Sequence, residues 1–160
     1  MSLVLFTCMV GLLIAPINVD FTSACISLLA VAIGSGAAGT LNMWYESDLD
    51  ALMSRTCLRP IPTGKVKKNQ ALYFGIVLSA LSVSIIYFSA NLISAILLAS
   101  TIAFYFFVYT IWLKRKTPQN IVIGGAAGAL PPVIGWTIAT NNASGVYLKY
   151  SRLRAMWKAK

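Results

Sequence analysis

Five apolar runs occupy most of this chain, and they constrain its fold more than any other feature. They cover residues 3–15, 21–45, 71–90, 92–113 and 120–140. About 20 apolar residues cross a hydrocarbon core of ~30 Å as a helix, so four runs are long enough to span a bilayer and the first is short. Apolar residues make up 58% of the 160 residues, more than a soluble core of this size buries. The sequence predicts an integral, multi-pass membrane protein.

The predicted fold class is all-α, a polytopic membrane bundle of about five transmembrane helices. The connection at 89–91 is so short that the third and fourth runs should form a tight helical hairpin. Run 3–15 lacks the basic segment that precedes a secretory signal, and we interpret it as a truncated span. Pro131 and Pro132 interrupt the fifth run, which a membrane helix tolerates where neighbours or water satisfy the freed carbonyls.

The net charge of +9 would suggest nucleic acid in a soluble domain, but the basic residues lie in polar segments between the runs. We interpret them as topology signals and phosphate contacts. Segments 46–70 and 114–116 are both basic and are separated by two crossings, so both should lie on the cytoplasmic side. A full fifth crossing would then place the basic tail 146–160 outside, against the rule. We expect this tail to be foreign to the preceding domain.

Cysteine and histidine usage narrows the chemistry. Cys8, Cys25 and Cys57 are scattered without metal-ligand spacing, which argues against a disulfide framework or a zinc site. The chain has no histidine, so it lacks the commonest general base and haem ligand.

Small residues are concentrated in the second and fifth runs. Gly-Ala-Ala-Gly occurs at 36–39 and again at 125–128. Such sequences allow helix backbones to approach closely. Two short matches are also compatible with an internal repeat, and the sequence alone leaves both interpretations open.

An amide and two carboxylates recur at four-residue steps where the second run ends: Asn42, Glu46 and Asp50. A step of four turns a helix by about 40°, so all three share one face, while Asp48 points elsewhere. Solvation of a helix end explains Asp48 but not the regular spacing. Oxygen ligands suit a hard cation such as Mg²⁺, especially one shared with substrate phosphates, and ionisable groups near a membrane are functional candidates.

Basic residues accompany this acidic motif. Arg55 and Arg59 are again four apart, and Lys114 and Arg115 reach the same membrane face from the fourth run. Arginine binds phosphate oxygens bidentately and lysine acts as a point charge. Together with Mg²⁺ these residues would form a diphosphate site. Without a P-loop, nucleotide hydrolysis is disfavoured.

At two segments the chain resembles the UbiA-type intramembrane prenyltransferases, and among them the members that farnesylate haem. The second segment, 109–132, reads YTIWLKRKTPQNIVIGGAAGALPP. Other branches usually have aspartate where this chain has Met43. The first segment contributes Asn42, Met43, Trp44, Tyr45, Glu46, Asp50, Arg55, Thr56, Arg59, Pro60, Ile61 and Pro62.

The resemblance implies that farnesyl diphosphate binds with its tail in the bundle and its diphosphate bridged through Mg²⁺ to the acidic motif. Asn42, Glu46 and Asp50 would be the catalytic set, with Glu46 and Asp50 as metal ligands. Haem b would be the acceptor substrate, not a cofactor, and haem O the product. The residues that would neutralise the leaving diphosphate are Arg55, Arg59, Lys114 and Arg115.

The resemblance covers roughly half of a nine-helix bundle. We assign 1–145 to a partial UbiA-type domain and 146–160 to the basic tail, and we expect the chain alone to have little or no transfer activity. Two alternatives stay open from the residues themselves. One is a small multi-span cation transporter that uses Asn42, Glu46 and Asp50. The other is a non-catalytic membrane fragment that assembles with another subunit.

Overall fold

A computed structural model of the protein describes residues 2–17, 19–113 and 120–140. These residues form helices and connections without any strand, which confirms the all-α prediction. The fifth helix continues without a break from α-helix into π-helix. The elements are α1 Ser2–Ile14, α2 Phe21–Tyr45, α3 Ser47–Leu52, α4 Lys68–Ser89, α5 Leu92–Ala103 with its π-helical continuation Phe104–Leu113, and α6 Asn120–Thr140.

Helix lengths follow the apolar runs. Within the described residues, α2, α4 and the continuous helix Leu92–Trp112 are each long and apolar enough to cross a membrane. Helix α1 has only 13 residues, as the short first run indicates. Helix α6 has 21 residues and continues through its two prolines. The polytopic membrane bundle is thus confirmed. The largest difference from the predicted bounds is at the start of α4, which lies three residues earlier than predicted.

The α4–α5 hairpin turns where the sequence predicts it. The Ala90 backbone N–H donates to the carbonyl of Ile86 at 2.9 Å. Asn91 then caps α5, because its side-chain Oδ1 accepts from the Ser94 backbone N–H at 2.8 Å. The Asn91 amide also donates to the Thr137 carbonyl at 2.7 Å, and the Ser94 hydroxyl donates to the Thr137 hydroxyl at 2.9 Å. The start of α5 is therefore tied to the end of α6.

A single apolar core joins these helices. Its fully buried members include Ala30 and Val31 of α2, Ile86 of α4, and Ile134 of α6. Helix α2 packs along α4, and the hydroxyls of Ser27 and Ser89 lie 3.1 Å apart between them. Because α2 contacts most of the other helices, its carboxyl end, which carries the acidic motif, is held in a fixed position.

Glycines permit the closest helix contact, between α1 and α6. A Cβ on Gly11 would lie 2.1 Å from the Pro132 carbonyl oxygen, and one on Gly135 would lie 2.0 Å from the Cys8 carbonyl oxygen. By contrast, no described atom lies within 4 Å of a Cβ built at Gly125 or Gly128. The close contact of α6 with α1 is therefore made at Gly135, whereas Gly125 and Gly128 of the Gly-Ala-Ala-Gly segment have no such neighbour among the described residues.

The small residues of α2 do pack as expected. A Cβ on Gly34 would lie 3.2 Å from the Ser82 hydroxyl oxygen of α4 and 3.3 Å from Leu98 of α5, and Ala37 is fully buried. The three cysteines are free thiols, with Cys8 buried, Cys25 exposed and Cys57 between them.

Candidate functional site

The acidic motif spans the junction of two helices. Helix α2 ends at Tyr45, and Glu46 links it to α3 with φ −93° and ψ 6°. The Glu46 N–H still donates to the Asn42 carbonyl at 3.0 Å, and the Asp50 N–H donates to the Glu46 carbonyl at 2.8 Å. The predicted end of the second run at Tyr45 is therefore confirmed, and the acidic motif extends from α2 into α3. The four-residue relation among the three side chains is nevertheless preserved, because the backbone hydrogen bonds continue across the junction.

Burial separates the acids into two kinds. Glu46 and Asp50 are each only 4% exposed. Asp48 is exposed and forms an ion pair with Lys68 at 3.3 Å, as expected for a solvated residue on the other face. Burying a carboxylate is costly unless a counter-charge or hydrogen bonds compensate it. The two buried acids therefore mark this end of α2 as the place where a cation is electrostatically favoured.

Arg59 supplies one compensating charge. Its Nη1 lies 2.8 Å from Oδ2 of Asp50. Successive turns bring Arg59 back to α3: the Thr56 N–H donates to the Met53 carbonyl at 3.0 Å, and the Arg59 N–H donates to the Thr56 carbonyl at 3.0 Å. The buried Thr56 hydroxyl donates to the Asp50 backbone carbonyl at 3.1 Å, which fixes this turn against α3.

The predicted basic residues differ in placement. Arg59 joins the acidic motif, whereas Arg55 is exposed in the same turn segment. Lys114 and Arg115 lie outside the described residues. The structure thus brings together four of the predicted site residues, namely Asn42, Glu46, Asp50 and Arg59.

The π-helical segment completes the site, and sequence reasoning missed it. The Asn42 amide Nδ2 donates to the hydroxyl of the fully buried Thr110 at 3.2 Å. Two residues further along α2, the ring of Trp44 lies 6.2 Å from the ring of Phe106. A run of aromatic residues at a membrane boundary is usually an interfacial belt, so the sequence carried no signal for these specific contacts.

An apolar cavity of about 340 Å³ lies between α1, α2, α6 and the α5–π helix. Its α2 wall consists of small residues, among them Gly34, Ala38 and Gly39. Tyr105 lines the cavity as well, and its backbone carbonyl accepts from the Thr110 hydroxyl, which in turn accepts from the Asn42 amide. The cavity therefore approaches the acidic motif, an arrangement that fits an amphiphile with an anionic head and an apolar tail.

The donor set also fits a divalent cation. The described residues contain no group of three or more His, Cys, Asp or Glu that could enclose a metal by themselves. Magnesium, however, is commonly held by one or two carboxylates together with substrate phosphates and water. The acidic motif meets that requirement. It supplies the Asn42 amide and the two buried carboxylates of Glu46 and Asp50, each about one helical turn after the last.

Comparison with known proteins adds a family and several relatives. A model described as the UbiA prenyltransferase family matches residues 4–157. "Protoheme IX farnesyltransferase" of Pelagibacter ubique is 74% identical over 144 residues, which is 90% of this chain and 48% of that protein. The protein of the same name from Ehrlichia ruminantium (strain Gardel) is 56% identical over 157 residues, which is 98% of this chain and 53% of that protein.

A third relative, "Protoheme IX farnesyltransferase 2" of Mesorhizobium japonicum, is 58% identical over 144 residues, which is 90% of this chain and 46% of that protein. The chain thus spans about half the length of the curated relatives it matches. No solved structure matches it.

Proposed function

Since the chain belongs to the UbiA prenyltransferase family, we propose that its acidic motif binds the diphosphate of an isoprenoid diphosphate. We propose further that the transferred group and the acceptor are those named for its relatives, a farnesyl group and protohaem IX. The product would be haem O, and haem b would be a substrate rather than a cofactor.

Tyr105 supplies the observation that carries this proposal. It belongs to the wall of the apolar cavity, and its backbone carbonyl accepts from the Thr110 hydroxyl that is hydrogen-bonded to Asn42 of the acidic motif. A prenyl diphosphate has the same two parts in the same order, an apolar chain and a polyanionic head. A cavity of about 340 Å³ lies in the range of ~300–1,000 Å³ that is typical of small-molecule sites.

Glu46 and Asp50 would hold Mg²⁺ together with the diphosphate, with Asn42 as a neutral oxygen donor. Bound Mg²⁺ would neutralise charge on the diphosphate oxygens and so favour departure of the diphosphate. The buried position of both carboxylates strengthens this attraction, because water screens them little. Glu46 is one methylene longer than aspartate and keeps the same charge.

Arg59 would bind the diphosphate in addition to its ion pair with Asp50. Its guanidinium already lies at the acidic motif, 2.8 Å from Asp50, and its planar set of donors suits phosphate oxygens. Arg55, Lys114 and Arg115 would add positive charge around the leaving group. The proximity of Arg55 to Arg59 in the same turn segment supports its inclusion, and the basic sequence after the fourth run supports the other two.

The proposed farnesyl transfer is an alkylation of a haem vinyl group. The C–O bond at C1 of the farnesyl group breaks, and the diphosphate leaves with the electron pair. The terminal carbon of a haem vinyl group attacks C1, and water then adds to the resulting cation with loss of a proton. The apolar walls of the cavity would keep water from the farnesyl cation before the vinyl group reaches it.

The location follows from the helices and the charges. The protein is an integral membrane protein. We propose the bacterial inner membrane, with the lipid bilayer in contact with the apolar helices and the acidic motif on the cytoplasmic side. The basic residues at 55–68, which follow the motif directly, support that orientation.

A chimera tests the proposed reaction. In it, this chain replaces the aligned part of the Pelagibacter relative, to which it is 74% identical, and the host lacks its own haem O synthase. We expect the chimera to form haem O, and the same chimera with Glu46→Gln to form little. The matched control is Asp48→Asn, which changes an exposed acid outside the site and should retain the product. An equally expressed chimera that forms no haem O, when the intact relative does, would contradict the proposal.

A further inference from the structure

Thr110 is a buried partner of the acidic motif, and it lies on a different helix, the π-helical continuation of α5. Its side chain is fully buried, and its hydroxyl makes two hydrogen bonds. It donates to the Tyr105 backbone carbonyl at 3.0 Å and accepts from Nδ2 of Asn42 at 3.2 Å.

The direction of these two bonds fixes the orientation of the Asn42 amide. A hydroxyl carries one hydrogen but can accept from two directions. Because the Thr110 hydrogen is engaged by a carbonyl, which cannot donate, the hydroxyl can only accept from Asn42. The –NH₂ group of Asn42 must therefore face Thr110, and its Oδ1 must face away. The oxygen and nitrogen of a side-chain amide are properly assigned from such a network.

The π-helix makes this geometry possible. In other described helices the hydroxyls of Thr7, Thr40 and Thr101 donate to carbonyls three or four residues earlier. Thr110 instead bonds the carbonyl five residues earlier, in a segment whose backbone is π-helical. Local π-helices occur frequently at functional sites, and this one turns Thr110 towards the end of α2.

We propose that Thr110 is a positioning residue that holds the Asn42 amide with Oδ1 available to the cation. Within the part of the chain that the structure describes, no recorded hydrogen bond reaches Asn42 Oδ1, while Nδ2 is engaged by Thr110. A neutral amide can support a hard cation only through its oxygen. The site therefore depends on a residue that does not contact the ligand. This proposal rests on the proposed function, since it refines the same site.

Cation binding by the full chain in detergent tests the proposal. Mn²⁺ serves as the probe, measured by electron paramagnetic resonance with and without farnesyl diphosphate. Thr110→Val keeps the side-chain volume but can accept no hydrogen bond, and we expect Mn²⁺ affinity to fall about 10-fold, as when a residue that orients a metal ligand is lost. Thr110→Ser retains the hydroxyl and should bind within about 2-fold of the parent.

A second background separates positioning from a general structural effect. In Asn42→Asp the side chain presents two equivalent oxygens and needs no orientation. Thr110→Val should then change Mn²⁺ affinity less than about 2-fold, because the coupling between the two residues is gone. Equal losses in both backgrounds, or an unchanged affinity in Thr110→Val alone, would overturn the proposal. If Thr110→Val does not fold, Thr110→Cys replaces it, since a thiol is only a weak acceptor.

The positioning role of Thr110 and the proposed function can be tested separately. If the parent binds Mn²⁺ with the expected order among variants but does not bind farnesyl diphosphate, the positioning role stands and the proposed function fails. If farnesyl diphosphate binds and the variants do not follow that order, the positioning role fails alone. Absence of both Mn²⁺ and farnesyl diphosphate binding in the folded parent would overturn both.

Discussion

Two asparagines lie at opposite ends of the α5–π helix and differ in their hydrogen bonds: Asn91 serves the fold, whereas Asn42 is proposed to serve a ligand. At the α4–α5 turn, Asn91 uses both halves of its amide: Oδ1 accepts from Ser94 and Nδ2 donates to the Thr137 carbonyl. At the acidic end, Asn42 uses Nδ2 on Thr110, and no recorded hydrogen bond from a described residue reaches its Oδ1. The amide of Asn91 uses both its oxygen and its nitrogen within the fold, whereas the proposed role of Asn42 requires that its oxygen bind a cation.

The carboxylates at the two ends of α2 also differ in their surroundings. Asp20, which precedes α2 at the Asn91 end, is exposed and serves as the helix N-cap. Glu46 and Asp50, at the Asn42 end, are almost entirely buried. The exposed acid is solvated and contributes to a local cap, while the buried pair concentrates negative charge where water is scarce. Substitutions at the acidic end should therefore affect binding, and substitutions at the other end should affect stability.

The largest expected effect is that of Glu46→Gln on binding of Mg²⁺ and farnesyl diphosphate. Removing one partner of a buried charge interaction costs about 30-fold or more in affinity. Isothermal titration of the detergent-solubilised chain measures this loss. Asp48→Asn is the control, because Asp48 is exposed and paired with Lys68, and it should bind like the parent. Equal affinities for Glu46→Gln and Asp48→Asn would show that the acidic end is not the ligand site.

Gly135→Ala should have the next largest effect, on stability. The added methyl group would lie 2.0 Å from the Cys8 carbonyl oxygen, a backbone atom that cannot move aside independently. Overpacking of this kind costs about 1–3 kcal/mol, so the thermal unfolding midpoint should fall.

Gly125→Ala is the matched control for that substitution. It lies on the same helix, and no described atom is within 4 Å of its added Cβ. Because alanine favours helix over glycine, this variant should unfold at the parent temperature or slightly above it. A Gly135→Ala variant as stable as Gly125→Ala would mean that the α1–α6 contact is looser than the structure shows.

The apolar elements were predictable because the bilayer sets their length. The boundaries 21–45, 92–113 and 120–140 agree with the helices observed, since each run needs about 20 apolar residues to cross. The different placement of Asp48 was also predictable, because the four-residue spacing of Asn42, Glu46 and Asp50 puts them on one face and Asp48 on another.

The finer geometry of the site was not predictable from local sequence. The junction at Glu46 depends on how the turns at 53–64 fold back to place Arg59 beside Asp50, a contact between residues nine positions apart. The hydrogen bond from Asn42 to Thr110 likewise joins the π-helix to α2 across 68 positions of sequence. Helix propensity and hydropathy describe neighbours in sequence, and neither reports such contacts between elements.

Thr137→Val should destabilise the protein without weakening ligand binding. The fully buried Thr137 hydroxyl accepts from Ser94 and donates to the Ile134 carbonyl, so valine leaves the buried Ser94 hydroxyl without this acceptor. Such a loss costs about 1–2 kcal/mol, which thermal unfolding detects. Thr7→Val is the control, since Thr7 bonds only carbonyls of its own helix. Impaired farnesyl diphosphate binding in a folded Thr137→Val variant would contradict the expectation that substitutions at the Asn91 end affect stability alone.

The smallest effect concerns Asp20 and acid pH. Hydrogen bonds from the Thr22 hydroxyl and the Ser23 backbone N–H lower the pKa of Asp20 below its ordinary value of 3.8. A lowered pKa in the folded state means that the charged cap stabilises α2 at pH values above 3.8 and that this contribution is lost as the pH falls through the folded-state pKa.

Asp20→Asn can still cap the helix but cannot titrate. Its unfolding midpoint should therefore change less than that of the parent during acidification below 3.8, and farnesyl diphosphate binding at neutral pH should be equal in the two proteins. Parallel acid profiles would show that Asp20 does not stabilise α2 through its charge, and the carboxylate at the structural end would then be as solvated as Asp48.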